Sequence, residues 1–212
     1  MQACGASGNR SRRASSVSRR RGHCAACEYE PIWLPHQLTP SFELEMAPLY
    51  PLLHPNVFEP SYLPSLVRSE SLLLGTIIVI AARYSRVLPE GRGPAIHTQL
   101  AQWVRLGLLS VLDGDPSVRN ISSVEALLLL SEWPIVSMPG TREHTEGSEQ
   151  SRLLQPSLRY DSYSWANIGL AVRLAQELGI HEVVKLKQEE TTPWLQSRTL
   201  KTWVYCYNAD RQ

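Results

Sequence analysis

Residues 164–181 read Ser164-Trp-Ala-Asn-Ile-Gly-Leu-Ala-Val-Arg-Leu-Ala-Gln-Glu-Leu-Gly-Ile-His181, and their spacing decides what the chain builds. Trp165, Ile168, Val172 and Ala175 form one apolar stripe, which Ala171, Leu174 and Leu178 widen. That i, i+3, i+4, i+7 pattern puts apolar groups on one face of a 3.6-residue turn and predicts an amphipathic helix. Asp161 or Ser162 is placed to cap its first amides, and Gly179 supplies the left-handed residue that ends it. Nothing in the stretch does chemistry by itself.

Neighbouring segments repeat the theme. A helix is expected from about Leu63 to Tyr84, with Pro64 in its first turn. A second is expected from about Ala95 to Asp113, with Ile96, Leu100, Trp103, Val104, Leu108 and Val111 on its apolar side and Gly114-Asp-Pro116 ending it. A third opens at Ser122, whose Ser-x-x-Glu125 spacing reads as a capping box, and stops before Pro134. A last helix starts at Thr192-Pro193 and runs to the end of the chain with no C-cap. Residues 138–159 are polar and rich in Gly, Ser and Glu, which predicts a loop. No strand alternation of useful length occurs, so the expected fold class is all-α, an irregular multi-helix domain. Trp103, Trp133, Trp165 and Trp203 are expected in or near its core.

The first part of the chain differs in composition. Residues 1–30 are basic, rich in Ser and poor in apolar groups, and are expected to be a disordered tail. Residues 31–60 form a Pro-rich linker. Eight prolines fall between Pro31 and Pro64, which predicts extended, irregular backbone. Its Trp33, Leu34, Phe42, Leu49, Tyr50, Leu52, Leu53 and Phe58 suggest that part of it lies against the helical body. Residues 61–212 are the helical domain.

The net charge is +1, and Arg10, Arg12, Arg13, Arg19, Arg20 and Arg21 carry +6 of it, so the rest of the chain carries −5. A nucleic-acid binder using its whole surface is therefore not expected. The arginine cluster reads as a nuclear-import signal or a contact to phosphate, neither of which specifies bases. Ser15, Ser16 and Ser18 lie among these arginines, where phosphorylation would cut the charge. The longest apolar run, Leu72 to Ala82, is 11 residues; a membrane span needs about 20. It reads as a buried core helix, and no membrane role is expected.

The four cysteines are too few and too scattered for a disulfide scaffold. Cys24-Ala-Ala-Cys27 is the one paired spacing and is half of a zinc site, but about four ligands are needed. His23, His36 and Cys4 are the other groups nearby, and inert thiols are the simpler reading. His181 follows the end of the 164–181 helix, where a protonated imidazole suits the helix dipole. Gly91-Arg-Gly93 follows no strand and fails as a nucleotide loop. No set of Ser, Cys, His or acidic residues forms a catalytic constellation, so no enzymatic activity is expected.

Four segments in one order add a family resemblance. The Ser-Trp165 pair leads into Gly169-x-Ala171-x-Arg173-Leu-Ala-Gln-x-Leu-Gly179-x-His181. A second signature runs Arg198-Thr-Leu-Lys-Thr-Trp203-Val-Tyr-Cys-Tyr-Asn-Ala-Asp210-Arg211. Leu72 to Ser85 and Val124 to Trp133 precede them. Together they resemble the middle regulatory domain of fungal zinc-cluster transcription factors, of the secreted-protease activator type, over roughly Ser61 to Arg211. The family often carries consecutive arginines and a double tryptophan where this chain has one of each. The resemblance implies a nuclear regulator whose DNA contact runs through a six-cysteine cluster holding two zinc ions. That cluster is missing here, and no cofactor is expected in the chain itself. It also implies that the chain is a first half of the domain, with protein partners or the remaining half completing the core, or with a ligand sensed between helices. Arg173 and Arg198 read as exposed helix ends or as partners of Asp210. A small all-α adaptor or ligand-binding protein unrelated to DNA is the alternative.

Overall fold

The structure, a computed structural model, describes residues 33–84, 88, 92–135, 155–185 and 192–211; for 33–34, 155–161 and 183–185 it describes the backbone alone. The helices in chain order are α1 (Trp33–Glu45), α2 (Leu63–Ser69), α3 (Ser71–Tyr84), α4 (Arg92–Leu112), α5 (Ile121–Glu132), α6 (Gln155–Glu177) and α7 (Pro193–Ala209). Single 3-10 turns lie at Pro55–Phe58, Pro116–Val118 and Ile180–Lys185. Among the described residues there is no strand, as the all-α expectation requires.

Two helices form the centre because they are apolar all round. In α3 every residue from Leu72 to Ala82 is buried, and in α5 every residue from Ser122 to Leu130. They pack on each other; α1 and α4 cover α3, and α6 and α7 cover α5. Helix α4 buries a single face through Ile96, Leu100, Val104 and Val111, the pattern its sequence predicts. Its Trp103 ring lies against α3 at Gly75, where an added Cβ would stand 2.1 Å from Trp103 Cζ3. The absent side chain is what lets the two helices approach there.

Several boundaries differ from the sequence expectation. Residues 31–60 are not wholly extended. Helix α1 forms despite Pro40 inside it, and its Leu38 and Phe42 are buried. An interior proline costs about 3 kcal/mol; burying a Leu and a Phe one turn apart gains about 1.5–3 kcal/mol each and offsets it. The helix expected across Leu63–Tyr84 is two, α2 and α3, bent by 112° at Glu70. Glu70 leaves helical geometry at φ −125°, ψ 35°. No single helix among the described residues is long and apolar enough to cross a membrane.

The capping box at Ser122 is not formed. Asn120 is the N-cap of α5; its side chain accepts from the Ser123 amide at 3.0 Å and from Ser122 Oγ at 2.5 Å. Glu125 is thereby freed for another partner. Helix α6 starts at Gln155, before the expected caps Asp161 and Ser162, so residues 155–159 are helical rather than loop. Residues 136–154 lie outside the described set. Gly179 does end the α6 region at φ 69°. Helix α7 takes Thr192 as N-cap and Pro193 in its first turn, and it is capped at Asp210, whose amide donates to the Cys206 carbonyl at 3.0 Å.

Candidate functional site

Helix α7 places Arg198, Thr202 and Cys206 on one buried line. Its apolar Leu200, Val204 and Tyr207 face out instead. The arginine is 1% exposed and meets groups from three other segments. Its Nε donates to Glu125 Oε1 at 2.9 Å, and its Nη2 donates to Glu125 Oε2 at 2.6 Å and to Glu70 Oε2 at 2.7 Å. Its Nη1 donates to Glu70 Oε1 at 3.1 Å and to the Tyr62 hydroxyl at 3.0 Å. Tyr62 in turn donates to Glu70 Oε1. Thr202 Oγ1 lies 3.1 Å from Glu125 Oε1 and 2.9 Å from the Arg198 carbonyl.

A guanidinium carries five N–H donors in a fixed fork. Here each has an acceptor: one on Nε, two on Nη1 and two on Nη2. The bend at Glu70 is what turns that carboxylate toward α7. The bonds from α5 and from the α2–α3 junction to one α7 side chain fix the register of these helices.

The electrostatics follow from burial. Removing Glu125 from water raises its carboxyl pKa, and the Glu70 charge pushes the same way, against the bonds from Arg198 and Thr202. Burial alone would loosen the Arg198 proton, but the bonds to Glu125 and Glu70 outweigh it and hold the guanidinium firmly charged. Tyr62 is pushed up to about 12, chiefly by desolvation and by its bond to Glu70. Burial is thus the main reason that Glu125 holds its proton more tightly, and the second carboxylate beside the one cation adds to it.

The other signature residues are placed as follows. Trp165 is 79% exposed, so it is not a core residue; the buried side of α6 is Asn167, Ala171, Leu174 and Ala175, and Ile168 and Val172 are half-buried. Gly169 lies on α6 with open space around its Cα. Arg173, Asp210 and Arg211 are exposed, and among the described residues neither Arg173 nor Asp210 forms an ion pair. The pairing with Asp210 is thus replaced by Arg198 with Glu70 and Glu125, and Arg198 is not an exposed helix end. Arg211 sits over the Tyr207 ring at 4.4 Å. His181 is exposed, its ring 5.6 Å from that of Trp203, which is half-buried, as are Trp103 and Trp133.

Glu70, Glu125 and Tyr62 were not singled out from sequence as site residues. The one available signal was acids bracketing or interrupting apolar runs. Glu125 stands in Val-Glu-Ala-Leu-Leu-Leu-Leu, where only a paired charge survives burial.

Cys206 is buried and free, and burial pushes its thiol up to about 12. Among the described residues no group of three His, Cys, Asp or Glu side chains is placed to hold a metal ion, so they do not fit zinc. Cys4, Cys24, Cys27 and His23, and the six arginines Arg10, Arg12, Arg13, Arg19, Arg20 and Arg21, lie outside the described residues, as does Gly91; Gly93 is inside α4 and His36 is exposed on α1.

The comparisons with known proteins agree with this frame. The model of the fungal specific transcription factor domain matches residues 41–212, from α1 through α7. The chain is 31% identical over 150 residues to the transcription factor hmgR of Aspergillus fumigatus, a match covering 55% of this chain and 20% of that protein. No solved structure matches the chain. The family match covers most of the sequence and both signature helices, and the chain belongs to the fungal specific transcription factor domain family.

Proposed function

We propose that this chain serves as the regulatory region of a nuclear fungal transcription factor, and neither reads bases nor catalyses a reaction. The observation that carries this reading is the Arg198 centre. It joins the family's α7 signature to α5 and to the α2–α3 junction, and every guanidinium donor is spent inside the protein. A polar cluster with no group left over for a substrate holds helices in register, which suits a regulatory scaffold better than a site of turnover.

The exposed Trp165 on α6 and the Leu200, Val204 and Tyr207 stripe on α7 supply apolar surface that a protein partner or further polypeptide of the same factor covers. Arg10 to Arg21 act in nuclear import. Any zinc-dependent DNA contact of the whole factor falls to cysteines other than Cys206.

The test has two parts. Fused to a heterologous DNA-binding module in fungal cells, the chain is expected to change reporter output, and Arg198→Met is expected to remove that effect. A fluorescent fusion is expected to accumulate in nuclei and to lose this when the six arginines become glutamine. Sequence-selective DNA binding by the purified chain at physiological salt would overturn the reading.

A further inference from the structure

Helix α4 carries a different pattern on each of its two sides. His97, Val104 and Val111, spaced seven apart, are buried against the core. On the opposite side Ala95, Gln99, Gln102, Leu106, Leu109 and Asp113 are all exposed, and the steps between them alternate four, three, four, three, four. That alternation is the a/d seam of a coiled coil, which keeps these positions in one line along the helix. Asp113 stands just past α4 but continues its geometry, since its amide donates to the Leu109 carbonyl at 2.8 Å. The middle of the seam is apolar and open to water: Leu106 is 58% exposed, Leu109 is 53% and Leu112 on its flank is 63%. Single surface leucines are ordinary, but three within two turns of one seam form a patch.

The polar residues of the seam select its occupant. A second α4, packed antiparallel about a two-fold axis between Leu106 and Leu109, sets Leu106 on the partner's Leu109 and Gln102 opposite the partner's Asp113. The Gln102 amide then donates to that carboxylate. Arg105 is exposed and lies one turn on from Gln102, so it brings positive charge toward the same carboxylate while its Nη2 donates to the Ile135 carbonyl at 3.0 Å. Parallel alignment instead sets Asp113 against its own copy, and opposed like charges disfavour that arrangement. The face is therefore complementary to itself, in one orientation.

We propose that the outer face of α4 pairs two copies of this chain as an antiparallel helix pair centred on Leu106 and Leu109. Three leucines from each copy, with their polar neighbours, bury on the order of 800 Å² in total, below the range of stable interfaces. The dimer is therefore weak and concentration-dependent, with a Kd of about 10–100 µM. This pairing goes beyond the regulatory reading above and does not depend on it. Its test reads the mass of the purified chain in solution, so its failure is distinct from failure of the reporter experiment.

The test is sedimentation equilibrium of the full chain from about 2 to 500 µM, a range that brackets the expected Kd. The average mass is expected to climb from 23.9 kDa toward twice that value. Leu106→Glu combined with Leu109→Glu is expected to stay monomeric throughout, with its melting temperature within a few degrees of the parent because both side chains are exposed. Gln102→Glu faces the partner's Asp113 and is expected to weaken pairing about five-fold or more; adding Asp113→Lys is expected to restore it, as only antiparallel alignment allows. A chain that remains monomeric at 500 µM leaves the α4 face to a different polypeptide and overturns the proposal. Undiminished pairing in the folded double-glutamate variant overturns it too, as does loss of pairing on replacing Trp165, Leu200, Val204 and Tyr207 with serine, which moves the contact to α6 and α7. Failure of Asp113→Lys to restore pairing overturns the antiparallel arrangement.

Discussion

Arg198 shows how much depends on a single side chain. Removing one partner of a buried ion pair leaves the other charge uncompensated and costs about 3–5 kcal/mol. Arg198→Met should therefore lower the urea midpoint by that equivalent, because Glu125 is fully buried and keeps its demand for a cation. A double-mutant cycle on Arg198 and Glu125 should give coupling of roughly 1–3 kcal/mol, and the same cycle on Arg173 and Asp210 should give none. A finding of equal coupling in both cycles would discard the assignment. Cys206 predicts a pH dependence. Burial makes the folded protein hold this thiol proton up to about 12, against an ordinary value of 9.0. Between those values the folded state binds more protons than the unfolded chain, so stability falls as pH rises through that window. Urea melts between pH 8 and pH 11 would show the fall, and Cys206→Ala should reduce it.

At the scale of elements, pairs of helices are set by close approach and by caps. Gly75→Ala places a methyl group 2.1 Å from the Trp103 ring, so the α3–α4 contact must open. Overpacking of this kind costs typically about 1–3 kcal/mol, readable as a lower melting temperature with a changed tryptophan emission. Gly179→Ala differs in cause, because no atom lies within 4 Å of its added Cβ and only the φ of 69° opposes it. A loss of about 1 kcal/mol is expected there. Helix α7 carries the clearest lesson at this scale. Its apolar stripe of Leu200, Val204 and Tyr207 points outward and its buried line is Arg198, Thr202 and Cys206, the reverse of what amphipathic spacing predicts. The bonds among Arg198, Glu70 and Glu125 decide its rotation about its axis.

For the molecule as a whole, α3 and α5 form an apolar centre, and one bonded polar cluster lies at its margin. That cluster is internally satisfied around Arg198. The outer faces of α6 and α7 expose Trp165, Leu200, Val204 and Tyr207. Replacing Trp165, Leu200, Val204 and Tyr207 with serine should leave the melting temperature within a few degrees, since these side chains are exposed. The same change should abolish the reporter effect of the fused chain. A large loss of stability would mean that these faces are packed rather than presented.

The sequence by itself determined the helical class, the central place of Leu72–Ala82 and the family, because apolar spacing, caps and ordered signatures are local quantities. The left-handed stop at Gly179 and the Thr192-Pro193 start were legible for the same reason. The sequence did not determine the bend at Glu70, the helical state of α1 across Pro40, or the outward turn of Trp165. Each of these follows from contacts between segments far apart in the chain. The burial of Arg198 belongs with them: a charge enters the core only where distant partners meet it, and Glu70 and Glu125 lie 128 and 73 residues away. Only tertiary packing brings those partners together, and the desolvation that makes their pairing obligatory exists only once the core has closed.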